Sequence, residues 1–172
     1  ELQRLAGARE LIASGAMEAG ERQTVEKLLA PQSKGGGGQG GPAEPFRRYR
    51  SSGGLEIWVG RNSRRNDELT FRHSRPGDVW LHARHASGAH VVLRWDKDER
   101  PPRRDLEEAA VLAALHSRAR GSGHVPVDWT RRRYVRKAKG APAGTVRIER
   151  HETVFVTPDP DLEEALREDE LL

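Results

Sequence analysis

The chain has 172 residues, of which 35% are hydrophobic and 33% charged, with a formal net charge of +4 and no cysteine. That length holds one ordinary domain of about 110 residues plus appendages, and so ionic a composition leaves only a small core. Disulfides, thiolate nucleophiles and Cys-ligated zinc are excluded, and no apolar run approaches the roughly 18 residues of a membrane-spanning helix.

In chain order, residues 1–34 read as a helical arm, with Leu2, Leu5, Ile12, Val25, Leu28 and Leu29 as sparse apolar positions. Gly7, Gly15 and Gly20, each costing up to about 1 kcal/mol relative to Ala, break it into two short helices. Residues 35–45, opening on Gly35-Gly36-Gly37-Gly38, form a flexible linker. No Lys-Ser or Lys-Thr follows, so it is not a phosphate-cradling loop.

The folded body is expected over 46–158. Leu55, Ile57 and Val59 alternate with Glu56 and Trp58, the period of a half-buried strand. A short helix is predicted over Glu68 to His73, capped by Asn66 or Asp67. Val79 to Ala83 and His90 to Trp95 read as strands of a hairpin turning at Ser87-Gly88. Asp105 to Arg120 is the clearest helix, Ala-rich on one face, with Asp105 as N-cap, Glu108 three residues on, and Arg118 and Arg120 in its last turn. Val125 to Trp129, Tyr134 to Arg136, Thr145 to Ile148 and Thr153 to Val156 are strand-like. Residues 159–172 form an acidic helix or tail, with a helix expected over Asp161 to Glu170. The sum is an α+β domain: a mixed, mostly antiparallel sheet with the Ala-rich helix packed on it.

Charge is divided along the chain. Phe46 to Arg104 carries fourteen Arg or Lys against seven acidic residues, and Asp128 to His151 eight against two, whereas Asp159 to Leu172 has seven acids and one Arg. A basic body with an acidic tail points to a polyanionic partner. Arg131, Arg132, Arg133, Arg136, Lys137 and Lys139 place six cations in nine positions around Tyr134, followed by a Gly- and Pro-rich loop able to bring backbone amides to an anion. Arg61 and Arg64 give the turn around Asn62, Asn66 and Asp67 the same character, although caps and turns account for those three polar residues alone.

Of the four tryptophans, Trp58, Trp95 and Trp129 are best read as core. Trp80, between Asp78 and His82 with Arg84 close by, is equally a platform for an unpaired base. His82, His85 and His90 lie close in sequence, but no metal spacing emerges and no metal or cofactor is expected. Asp78 and His82 share a strand face at i and i+4, which offers acid/base chemistry by a neighbouring carboxylate.

The ordered series Gly60-Arg61-Asn62, Asn66-Asp67, Leu69-Thr70, Asp78, Trp80-Leu81-His82-Ala83, Gly88, His90-Val91, Glu108-Ala109-Ala110, Val125-Pro126-Val127-Asp128, Thr130 and Val156-Thr157-Pro158 resembles the NFACT-R domain. That is the RNA-binding-type module near the C-terminus of the NFACT family, which includes RqcH, NEMF and fibronectin-binding proteins. The resemblance implies a cytoplasmic factor of ribosome-associated quality control. Its partners would be tRNA and the large ribosomal subunit, without a membrane, in support of C-terminal alanine tailing of stalled nascent chains. Residues 1–34 would then end a coiled-coil region.

The expected phosphate contacts are Arg61, Arg64, Arg84, Arg131, Arg133, Arg136, Lys137 and Lys139. Asn62, Asn66, Asp67, Trp80, His82 and His90 would shape or read the site. No catalytic residue is carried over. Two rivals stand beside this reading: an RNA-processing hydrolase using Asp78 and His82, and an adhesive, fibronectin-binding-like protein module. Self-association is left open.

Overall fold

A computed structural model describes residues 45–168; the expected arm and the linker up to residue 44 lie outside the described residues, as do residues 169–172. Eight strands and three helices follow in order: β1 (Phe46–Arg50), β2 (Glu56–Gly60), α1 (Ser63–Arg72), β3 (Val79–Ala83), β4 (Val91–Leu93), α2 (Arg103–Leu115), β5 (Val125–Arg131), β6 (Val135–Lys137), β7 (Val146–Ile148), β8 (Glu152–Val156) and α3 (Pro160–Leu166). A 3-10 turn, Arg132–Tyr134, joins β5 to β6. The main sheet runs β1-β2-β4-β3-β5-β8, and β6 and β7 form a separate two-stranded ribbon. Every pairing is antiparallel, so the α+β class holds with no parallel pair among the described residues. No described helix is long and apolar enough to cross a membrane.

Strand alternation divides the core in two. Ile57, Val59, Val79, Leu81, Val91, Leu93, Val125 and Val127 project to one side and pack on Leu106, Ala109, Ala110, Leu112 and Ala113 of α2. Phe46, Trp80 and Val92 project to the other, against Leu69 of α1 and Val135, Val146 and Ile148 of the ribbon. The small side chains of α2 let it lie close to the sheet. Because both faces are covered, β3 and β4 are buried at every position.

Both predicted helix starts move. α1 begins at Ser63, five residues before the expected start, and its cap is Asn62, whose side chain accepts from Arg65 N at 2.9 Å. The first turn has no apolar residue to announce it; its buried side chains are Ser63 and Asn66. α2 begins at Arg103 behind Pro102, without a side-chain cap. Asp105 and Glu108 point across to the β1–β2 turn, where Asp105 Oδ1 accepts from Gly53 N at 3.0 Å and Glu108 Oε1 from Ser52 N at 2.8 Å. α2 stops at Leu115, so Arg118 and Arg120 lie beyond it.

α3 closes the α2 side. Leu166 is buried there and Leu162 packs beside it. Glu163 Oε2 accepts from Tyr49 Oη at 2.7 Å and contacts His116 Nε2 at 2.5 Å. Burial pushes the Tyr49 hydroxyl up and the Glu163 hydrogen bond pushes it further. Burial lowers the His116 pKa more than Glu163 raises it. Burial also pushes Glu163 up, but hydrogen bonds from Tyr49 and His116 and nearby positive charge hold its carboxyl below the usual range.

Candidate nucleic-acid interface

The polar residues of the Gly60 to Asp67 motif fasten three segments together. Asn66 is buried, and its Oδ1 accepts from His90 N at 3.1 Å. A Cβ at Gly60 would collide with that amide, so only glycine fits there. Asp67 holds the ribbon loop: Oδ1 accepts from Gly144 N at 3.0 Å and Oδ2 from Lys137 Nζ at 2.8 Å. Gly144 itself has φ +84, the left-handed region that a side chain would strain.

Beneath this clasp runs a chain of buried hydrogen bonds. His90 Nε2 lies 3.1 Å from the Gly144 carbonyl, which can only accept, so Nε2 carries the ring hydrogen. Nδ1 then accepts from Thr70 Oγ1 at 2.8 Å, and the Thr70 oxygen accepts from Trp80 Nε1 at 3.1 Å. The His82 ring stacks on Trp80 with centroids 5.9 Å apart and an interplanar angle of 7°.

Burial corrects several expected contacts. Trp80, His82 and His90 are 0%, 2% and 1% exposed; none offers a face to a base, and with Asn66 they support the surface from below. Arg131 is also buried, and its guanidinium donates to the carbonyls of Gly77, Asp98 and Glu99. Burial lowers the pKa of Arg131, and of Arg132 likewise. The Arg132 side chain is turned inward to the Thr70 carbonyl. The basic run is therefore divided between internal scaffolding and surface.

The suggested acid/base pair is not assembled. Asp78 accepts from Arg94 Nη1 at 2.9 Å, Arg75 N at 2.8 Å and Trp95 N at 3.2 Å. Four residues along an extended strand span about 13 Å, too far for Asp78 to reach His82. The carboxylate across from His82 is Asp128, buried beside Arg84 (3.9 Å), His151 (3.7 Å) and the Thr153 hydroxyl (2.7 Å). Alternation with Ala83↔Val127 and Trp80↔Thr130 would have shown that neighbour only once the pairing of β3 with β5 was known.

What remains at the surface of the α1 and ribbon side is basic. Arg61, Arg64, Arg133, Arg136, Lys137 and Lys139 keep part or most of their side chains open on α1, its N-terminal flank and the β5–β7 segment. All of these elements belong to the side of the sheet opposite α2. Arg136 pairs with Glu149 at 2.7 Å and lowers that carboxyl's pKa by its hydrogen bond, while Arg64 and Lys139 meet no carboxylate among the described residues. Arg133 and Arg150 lie over the Tyr134 ring, at 5.6 and 4.7 Å from its centroid. A cleft between Tyr134 and Trp129 holds Arg100, Arg131 and Arg150, but Asp98 and Glu152 line it too, so its charge is mixed. The α2 side mixes its charges, with exposed Arg103 and Arg104 on α2 and exposed Asp161 and Glu164 on α3.

Residues 45–150 match the family model described as the NFACT protein RNA binding domain. The Rqc2 homolog RqcH of Bacillus subtilis is 42% identical over 136 residues, 78% of this chain and 23% of that protein. The Rqc2 homolog RqcH of Streptococcus suis is 33% identical over 153 residues, 88% of this chain and 25% of that protein. The chain thus spans about a quarter of the length of these curated relatives. Among solved structures, the C-terminal part of the fibronectin/fibrinogen-binding protein from Streptococcus suis superposes with a TM-score of 0.69 at 28% identity, covering 96% of this chain and 68% of that one. With most of its described fold inside the matched region, the chain belongs to the NFACT protein RNA-binding domain family.

Proposed function

We propose that this chain is the RNA-contacting module of an RqcH-type factor, meeting tRNA and large-subunit rRNA through the side of the sheet that carries α1 and the ribbon. On this reading it serves in the cytoplasm and supports alanine tailing of stalled nascent chains by binding, without catalysis of its own. The observation that carries it is the cluster of six exposed cations, Arg61, Arg64, Arg133, Arg136, Lys137 and Lys139, on that side, whereas the exposed Arg103 and Arg104 of α2 share their side with the acidic α3. Phosphate contacts then come from Arg64, Arg133 and Lys139, with Arg61, Arg84, Arg136 and Lys137 beside them, while Asn62 and Asp67 hold the elements that present them.

Titration of labelled tRNA at several salt concentrations tests this. Removing one phosphate-binding cation reduces the slope of log K against log salt by about 0.7 to 0.9. Alanine at Arg64, Arg133 and Lys139 together is expected to lower both affinity and slope; unchanged values would remove this surface from the account. Association with a protein partner that survives RNase and ignores these substitutions would favour the adhesive reading, which the neighbour's fibronectin-binding name supports.

A further inference from the structure

The α1 and ribbon side of the sheet is not covered to its edge. On β8, the last strand of the sheet, Phe155 is 60% exposed, the one large apolar side chain left so open among the described residues. A lone exposed phenylalanine is ordinary; its surroundings are what give this one a role. The ring lies parallel to the imidazole of His124, at 5.2 Å between centroids and 7° between planes. Phe155 pairs with Pro126 on β5, and the Pro126 carbonyl accepts from Arg84 N at 2.8 Å.

Alternation fixes which side this row faces. Thr153, two residues before Phe155, bonds Asp128, which stands opposite His82. His82 is in turn two residues from Trp80 in the ribbon-side core. Phe155, Pro126 and Arg84 therefore stand on the basic side, Arg84 about 10 Å from Phe155 across two strand spacings. Arg84 keeps 28% of its side chain exposed beside Asp128.

We propose that Phe155 and His124 form a stacking platform for an unpaired nucleobase, with Arg84 placed for a phosphate of the same strand. Every base has a π-face, so an aromatic ring at the margin of a cationic surface takes single-stranded RNA without reading its sequence. A duplex keeps its bases stacked on one another and cannot use the ring. The inference rests on the RNA-binding reading above and gives that surface a preference for unpaired segments.

The test measures anisotropy of a labelled single-stranded oligouridine and of a labelled RNA duplex with the full chain and with Phe155→Ala, His124→Ala and Phe155→Trp. Phe155→Ala is expected to weaken single-strand binding by about 5- to 150-fold, the range for one base on one aromatic ring, and duplex binding by less than about twofold. His124→Ala should weaken single-strand binding less, and Phe155→Trp should restore the affinity. Equal affinity of Phe155→Ala and wild type for the single strand would overturn the platform, as would equal weakening on both RNAs or no rescue by Trp. Wild-type protein that binds neither RNA would instead overturn the RNA-binding reading itself. Loss of ribosomal association with both RNA affinities intact would make Phe155 a protein contact and also reject the platform.

Discussion

The two sides of the central sheet solve the burial problem differently. The α2 side is filled in its middle by aliphatic and alanine side chains, and its polar groups, Asp105, Glu108 and the Tyr49, His116 and Glu163 cluster, sit at the ends of α2 and against α3. The α1 and ribbon side buries Thr70, His90, Asn66 and Trp80 in a hydrogen-bonded layer and carries arginines and lysines over it. A buried polar layer contributes little net stability but is costly to disturb, because each member removed leaves a partner unpaired. The side that carries the cation cluster thus has directional bonds at the centre of its core, where the α2 side has apolar packing.

The largest effects should come from breaking each side by its own mechanism. On the α2 side, Leu112→Ala removes a fully buried side chain and should cost about 2–5 kcal/mol in urea unfolding. On the ribbon side, Thr70→Val keeps the shape but orphans Trp80 Nε1 and His90 Nδ1, for about 2–4 kcal/mol. A Thr70→Val variant within about 0.5 kcal/mol of wild type would mean the layer is not closed as described.

Next is the contrast in charge. Alanine at Arg64, Arg133 and Lys139 should flatten the salt dependence of RNA binding by about 2 to 3 in slope, whereas alanine at Arg103 and Arg104, on the α2 side, should leave it nearly unchanged. Equal flattening by the two sets would erase the distinction between the sides.

A smaller effect sharpens the comparison at α3. His116 is held below its ordinary value of 6.5, so the unfolded state binds the proton more readily. Its contribution is present above that pH and is lost as pH falls through the folded value. Glu163 is lowered from 4.5, so its contribution is lost further down, as pH falls through its folded value. Acidification from neutrality should therefore loosen α3 before the sheet; in hydrogen exchange of α3 amides His116→Gln should remove the loss that begins below pH 6.5, whereas Glu163→Gln, which takes away the carboxylate that raises His116, should deepen it. An unchanged profile would remove the Tyr49, His116 and Glu163 cluster as the latch. Smallest of all, Arg100→Ala breaks an exposed pair with Glu152 at 2.9 Å and should change stability by less than about 1 kcal/mol.

Within the described residues α3 docks through Leu166 and Glu163 on the α2 side, away from the ribbon. Deleting residues from Asp159 onward should loosen Tyr49 and β1 without tightening RNA binding, which binding and exchange measurements on the truncated chain would check.

Chain order, the α+β class, the alternating strands and the Ala-rich face of α2 were legible because local periodicity reports which side of an element is buried. β1 escaped notice, since Arg47 and Arg48 obscure the buried pair Phe46 and Tyr49. The helix starts were misplaced because polar residues in a first turn look the same whether they cap it, as Asn62 does, or are buried in it, as Ser63 and Asn66 are. Composition and spacing by themselves established a cysteine-free, basic α+β domain of the right residue types for RNA. Only the tertiary structure decided which cations are surface and which are scaffold, because Arg131 and Arg133 are two residues apart yet one is spent on backbone carbonyls. It likewise placed Trp80 inside and Phe155 outside, a choice set by which strand lies at the centre of the sheet and which at its edge.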